Sequence, residues 1–219
     1  MKRLLWKVCG MREPENIREL IEVGPDFIGF IFYDKSSRFV GESDNIDVIN
    51  SLPPRSKKVG VFVNEAYETL LQHVKTYGLD FVQLHGGESP QYCKKVKDEG
   101  IKIIKVFSVG EKLDMDLIRT FDGLATYFLF DTKTPKYGGS GVQFDWTILK
   151  DYDLETPYFL SGGIGIEDIQ KIDRKDFPGL TGLDVNSRFE IEPGLKNITA
   201  VKELKNKITS NKDSYESIS

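Results

Sequence analysis

The sequence predicts an α/β fold: a single-domain (β/α)8 TIM barrel, in which a parallel eight-stranded barrel is ringed by outer helices. Three observations carry this expectation. Short β-rich runs return roughly every 20–30 residues, about the spacing of one strand plus one helix. There are eight of them in 219 residues, and no linker divides the chain. Stretches of helical periodicity lie between them, as a parallel sheet covered by helices requires. The rival, a doubly wound open sheet, commonly has fewer strands and a nucleotide signature. Here GGSGVQ at 138–143 lacks the G-x-G-x-x-G spacing, and no G-x-x-x-x-G-K-[ST] occurs.

The strands are predicted at 4–8, 27–32, 58–63, 81–84, 101–107, 126–130, 158–160 and 181–185, each rich in Val, Ile, Leu or Phe. The first helix is predicted over 15–22, where Ile17, Leu20 and Ile21 share a face. The second, over 67–77, aligns Leu70, Leu71 and Val74. Similar patterns cover 91–97, 113–121, 166–172 and 195–208. Glu13-Pro14 and Ser89-Pro90 read as helix starts, because proline's fixed φ suits a first turn that has N–H groups to spare. Residues 1–208 form the predicted catalytic barrel, and 209–219 a polar, disordered C-terminal tail.

Composition narrows the function classes. A domain of this size, 39% hydrophobic, buries most of its apolar surface without disulfides or a structural metal. The net charge of −4 comes from mixed signs, with no basic stripe for nucleic acid. No apolar run approaches the roughly 20 residues of a membrane span. MKRLLWKVCG has too short an apolar part for a signal peptide. Two cysteines, Cys9 and Cys93, suit a reducing compartment, so a cytoplasmic location is expected. Cys93 falls in a predicted helix and reads as packing, and His73 as a helix-surface residue. No His/Cys/Asp cluster has ligand spacing, so no metal is expected.

Active sites of barrels sit where strands end and βα loops begin. The first strand ends in Cys9-Gly10 and the second leads into YDKSSRFVGESD, which contains Arg38. Asn64 follows the third strand, Gln83 and His85 end the fourth, and Phe107-Ser108 end the fifth. Asp131 ends the sixth, before the loop KTPKYGGSG. Ser161-Gly162-Gly163 follows the seventh, and Asp184, Asn186 and Ser187 end the eighth. Gly162 and Gly163, facing Asn186-Ser187, form either a plain tight turn or, as favoured at this position, a phosphate cradle at a helix start. Asp131 is too far from the next helix to cap it. In an enclosed mouth its carboxyl would have a raised pKa and suit general-acid work, with glycine-rich 138–141 as a lid. Arg38 reads equally as a solvated loop arginine or as a bidentate carboxylate partner. His85 reads first as a hydrogen-bonded structural histidine.

These residues together resemble phosphoribosylanthranilate isomerase of tryptophan biosynthesis. The resemblance runs through KVCGM at 7–11, SSRFV at 36–40, VGVFVN at 59–64, VQLHG at 82–86, FDT at 130–132, GGSGVQFDW at 138–146, SGGI at 161–164 and GLDVNS at 182–187. Any one motif is weak; the ordered series is specific. It implies a cofactor-free barrel, monomeric or homodimeric, that performs an Amadori rearrangement of an aminoaldose to an aminoketose on a small phosphorylated substrate. By resemblance Cys9 is the general base and Asp131 the general acid. The implied substrate-binding set is Arg38, Gln83, His85, Gly162, Gly163, Asp184, Asn186 and Ser187.

Parity adds one expectation. Residues two apart in a strand face the same side, so if Cys9 faces the mouth, Lys7 lies inside the barrel below it. A lysine there needs a partner, and Asp184, on the strand adjoining the first in a closed barrel, is the candidate. Lys7 is then expected to lower the Cys9 pKa, unless a dominant Asp184–Lys7 bond cancels its field. One departure stands out: Arg188-Phe189-Glu190 replaces the family's usual Gly-Val-Glu, and Arg188 either adds a phosphate contact or points outward. Two rivals remain. The histidine-pathway aminoaldose isomerase uses an aspartate where this chain has Cys9. A non-catalytic phosphate-binding barrel would have no need of Cys9 together with Asp131.

Overall fold

A computed structural model of the chain describes residues 3–41, 45–132 and 143–210. Its sheet is a closed barrel of eight parallel strands in sequence order. They are β1 (Leu5–Val8), β2 (Phe27–Ile31), β3 (Lys57–Phe62), β4 (Phe81–Leu84), β5 (Lys102–Val109), β6 (Tyr127–Thr132), β7 (Tyr158–Leu160) and β8 (Leu180–Val185). β1 closes the ring on β8 in a register that sets Lys7 beside Asp184. The helices are α1 (Pro14–Val23), α2 (Ile46–Asn50), α3 (Tyr67–Tyr77), α4 (Pro90–Asp98), α5 (Met115–Arg119) and α6 (Ile198–Ser210). A small antiparallel hairpin, β9 (Glu190–Glu192) and β10 (Leu195–Lys196), follows β8.

Local chemistry sets the helix ends. Pro14 and Pro90 open α1 and α4, and the Ser89 hydroxyl accepts from the Tyr92 amide at 3.2 Å. Gly24 ends α1 at φ +78°, a conformation cheap only for glycine.

Four stretches depart from the expected pattern. α2 was not expected, because five residues are too few to show a helical period. The amphipathic stretch at 113–121 yields only the short α5. The stretch after β7 forms 3-10 turns over Ile166–Lys171 rather than an α-helix. At the C-terminal end Leu195 and Lys196 pair with β9, so α6 begins only at Ile198, where the Asn197 side chain accepts from the Ala200 amide at 3.1 Å. α6 continues past the expected boundary at 208 to Ser210. The glycine-rich 138–141 segment and residues 211–219 lie outside the described residues.

The core has two layers. Inside the barrel, Phe27, Val59, Phe81, Ile104, Leu129 and Phe159 form a buried plug, with Leu5 and Tyr127 packed on it. Phe27 meets Phe81 and Phe159 edge-on, each with ring centroids 5.3 Å apart. Outside, the other face of every strand packs against the helices. The plug seals one end of the barrel. One or two pleats further on, the same inward-facing positions become Lys7, Cys9, Gln83, His85 and Asp131, so polar chemistry is confined to the other end. His73 was expected at the surface; it is half-buried, 4.8 Å from Phe32 and stacked with Tyr77, because its Nδ1 is satisfied within α3 by the Thr69 carbonyl at 2.8 Å.

Candidate active site

A cavity opens at the C-terminal end of the barrel. Cys9, Gln83, His85, Asp131, Gly162, Gly163, Asp184, Asn186 and Ser187 all line it, and Arg38 does not. Loops after β1, β4, β6, β7 and β8 therefore converge on one volume.

On the β1 side, the fully buried Lys7 ammonium donates to Asp184 Oδ1 at 3.0 Å and lies near the Cys9 thiol, whose ionised form it favours. Burial pulls the Lys7 pKa down, but Asp184 and Cys9 outweigh it and leave it raised. Burial pushes Cys9 up; Lys7 and Lys196 oppose this, Asp184 adds to it, and the thiol ends above its ordinary value. The expected lowering is therefore present as a force but not as the net result. Gly29 makes this arrangement possible. A Cβ there would stand 2.7 Å from Cys9 Sγ and 3.0 Å from Lys7 Nζ, so only glycine admits both groups.

Across the cavity, β6 presents Asp131. Burial and the neighbouring Asp184 raise its pKa to about 6, against the Thr132 amide, which donates to Oδ1 at 2.9 Å, and the Ser161 hydroxyl. His85 Nε2 lies 3.6 Å from Asp131 Oδ2. Burial, then Lys105 and Lys7, drive the imidazole down to about 4. It is thus neutral at pH 7, and Asp131 keeps its proton far better than a solvated carboxylate does. Beside them, Gln83 Oε1 is buried without a hydrogen-bond partner among the described residues. That is a costly arrangement unless a ligand donor meets it.

The glycine turn follows β7, directly beside the end of β6. Gly162 and Gly163 adopt φ +89° and +68°, and a side chain at Gly162 would collide with Thr132. The turn is braced by Gln143, which donates to the Gly163 carbonyl at 3.0 Å and to Asp168 Oδ2 at 2.6 Å. Asp168 also accepts from the Gly165 amide at 2.9 Å, so part of the 3-10 start is already capped by a carboxylate. Arg188 reaches the cavity rim but is 44% exposed and paired with Glu167.

Arg38 is held beside the mouth by Glu190. Its Nε donates to Oε1 at 2.9 Å and to Oε2 at 3.1 Å, and its Nη2 to Oε2 at 2.7 Å. Buried Lys196 completes the cluster, donating to Glu190 Oε1 at 2.6 Å and Asn186 Oδ1 at 2.8 Å. Burial works to raise the Glu190 pKa, but Arg38 and Lys196 prevail and hold it low.

Sequence reasoning missed Gly29, Glu190 and Lys196, as well as the Lys105–Glu88 pair behind His85. A glycine inside the strand FIGFI was a readable sign of close approach. Glu190 and Lys196 gave no such sign, because their meeting depends on the β9–β10 hairpin. Among the described residues, no three His, Cys, Asp or Glu side chains converge as a metal site.

Comparison with known proteins bears on the whole barrel. Residues 6–207 match the family described as N-(5'-phosphoribosyl)anthranilate (PRA) isomerase. An N-(5'-phosphoribosyl)anthranilate isomerase of Parabacteroides distasonis is 47% identical over 200 residues, covering 91% of this chain and 90% of the relative. The solved phosphoribosylanthranilate isomerase of Thermotoga maritima is 35% identical with a TM-score of 0.85, covering 94% of this chain and 99% of that one. A solved isomerase in complex with reduced 1-(o-carboxyphenylamino)-1-deoxyribulose 5-phosphate is 31% identical with a TM-score of 0.81, covering 94% and 99%.

Proposed function

Since this chain belongs to the N-(5'-phosphoribosyl)anthranilate isomerase family of tryptophan biosynthesis, we propose that it performs the Amadori rearrangement with Cys9 as general base and Asp131 as general acid. The substrate is N-(5-phosphoribosyl)anthranilate and the product 1-(2-carboxyphenylamino)-1-deoxyribulose 5-phosphate. One observation carries the assignment: a thiol on a lysine and a carboxyl group of raised pKa line a single cavity, from β1 and β6.

Asp131 gives its proton to the furanose ring oxygen. The C1–O bond breaks, and the anilino nitrogen lone pair forms the C1=N iminium. The Cys9 thiolate then removes the C2 proton; the C–H electrons form C1=C2 and neutralise the nitrogen. The resulting enolamine tautomerises to the C2 ketone. Lys7 supports the thiolate that this step needs. Gly162, Gly163, Asn186 and Ser187 take the phosphate in this assignment, and buried Gln83 Oε1 accepts from a substrate hydroxyl or N–H. Arg38, beside the mouth, takes the anthranilate carboxylate in this assignment, which requires its guanidinium to turn from Glu190 toward the cavity. A cytoplasmic location goes with the same proposal.

The two pKa directions make the working ionisation state a minority. Asp131 must be protonated and Cys9 ionised, while their pKa values stand in the opposite order. The fall in acid and the rise in base then cancel between them. kcat/KM should be flat above about pH 6 until the thiol titrates, and should fall tenfold per unit below the Asp131 break. Turnover of the substrate, followed by loss of anthranilate fluorescence, tests the assignment. Cys9→Ala and Asp131→Asn should each lower kcat about 10²–10⁴-fold; wild-type turnover in both would overturn it.

A further inference from the structure

The loop after β4 is held by an ion pair that the reaction above does not use. Lys105, in β5, faces the helix layer and is 3% exposed. Its ammonium donates to the Leu84 carbonyl at 3.2 Å, the Gly86 carbonyl at 2.8 Å and Glu88 Oε2 at 2.9 Å. Glu88 in turn accepts from the Asn64 amide at 2.9 Å and from the Gly86 amide at 3.1 and 3.0 Å. The two carbonyls gripped by Lys105 flank His85 in the chain. One ammonium therefore straddles the residue whose side chain turns into the cavity. His85 also lines a second cavity, on the helix side, together with Glu88 and Lys105.

We propose that Lys105 and Glu88 are positioning residues for the acid half of the site, holding the His85 imidazole against Asp131. The proposal rests on Asp131 being the general acid. An imidazolium 3.6 Å from Asp131 would favour the carboxylate and draw off the proton that the reaction needs. A neutral imidazole can instead donate to the carboxylate left after proton transfer without competing for that proton. The charged and titratable groups around His85 are Asp131 on β6, Lys105 on β5, Lys7 on β1 and Glu88 on its own loop. After burial, Lys105 is the largest influence keeping the ring neutral, and Glu88 opposes it.

The opposing signs of the two partners supply the test. The chain has two histidines, so the His85 resonance can be followed by NMR titration with His73 as internal control. Glu88→Gln keeps the side chain's shape and acceptor oxygen while removing the charge that raises the ring. Lys105→Met/Glu88→Gln removes both charges without stranding either one. His85 should titrate at or below about 4 in the single variant and about one pH unit higher in the double variant. In the double variant the acid-side break in kcat/KM should move to lower pH, and kcat should fall about tenfold at nearly constant KM. A limb set by the substrate phosphate would stay where it is. If the pair only braces the loop, loosening it admits water and raises His85 in both variants alike; that result, or an unmoved His85 in both, overturns the proposal. The titration needs no turnover, so it reads independently of Asp131→Asn, whose retained activity would remove the general-acid premise instead.

Discussion

Two buried lysine–carboxylate pairs lie on the two faces of one barrel wall, and they are built differently. Lys7–Asp184 is inside the barrel, where the ammonium bonds one carboxylate and lies near a thiol whose ionised form it favours. Lys105–Glu88 is on the helix side, where the ammonium has three oxygen acceptors and the carboxylate has two backbone amides as further donors. The outer pair is a closed hydrogen-bonded unit that fixes a loop. The inner pair leaves part of its field to a group that must change protonation. Burial costs both pairs comparably; what differs is whether the partners are saturated, and that separates a clamp from a reactive site.

Removing each lysine should break the comparison most visibly. Lys105→Met strands Glu88 as a buried, hydrogen-bonded anion and should cost about 3–5 kcal/mol in urea unfolding. Lys7→Met should cost clearly less, because burial already raises the Asp184 pKa and the carboxyl can take up a proton. Activity should rank the other way. Without Lys7 the thiol rises further, and kcat/KM on the plateau should fall about 10–100-fold. Equal stability losses would mean that Asp184 stays ionised and the two pairs are alike.

Asp131 sharpens the contrast from the lumen side. Its folded-state pKa of about 6 lies above the ordinary 3.8. The stability tied to its proton is therefore complete below about pH 3.8 and is lost as pH rises through about 6. Asp131→Asn keeps an acceptor for the Thr132 amide and has no charge to bury. At pH 8 it should be more stable than the native chain by up to about 3 kcal/mol, the energy of a shift of about two pKa units. Below pH 4 the gain should vanish. Stability curves at the two pH values check this, and an equal gain at both would put the effect elsewhere than in the carboxyl.

The lumen was the more legible of the two regions. A closed barrel fixes strand neighbours and parity fixes faces, so Lys7 in LLWKV could be set against Asp184 from the sequence alone. Lys105 interrupts KIIKVF just as visibly, but its partner lies 17 residues back on a loop, where no period applies. The same limit hid the Arg38–Glu190–Lys196 cluster, because it needs the β9–β10 hairpin to form first. The Cys9 thiol shows a different limit. The sequence names the charges around it, but only their burial decides which of them prevails.

Arg188 supplies the smallest expected effect and a control for both pairs. Its guanidinium is 44% exposed and its partner Glu167 is 56% exposed, so water screens the pair and returns most of what its loss removes. Phe189, next in the chain, is buried, whereas Arg188 is exposed at the cavity rim and paired with Glu167. Arg188→Gly should therefore change stability by less than about 1 kcal/mol. If the side chain stays with Glu167, KM should stay within about twofold of the native value, whereas loss of a direct phosphate contact would raise KM about tenfold or more. A large rise in KM would place a third cation in the site. It would also mean that exposure alone does not mark where charge is used when a phosphate binds.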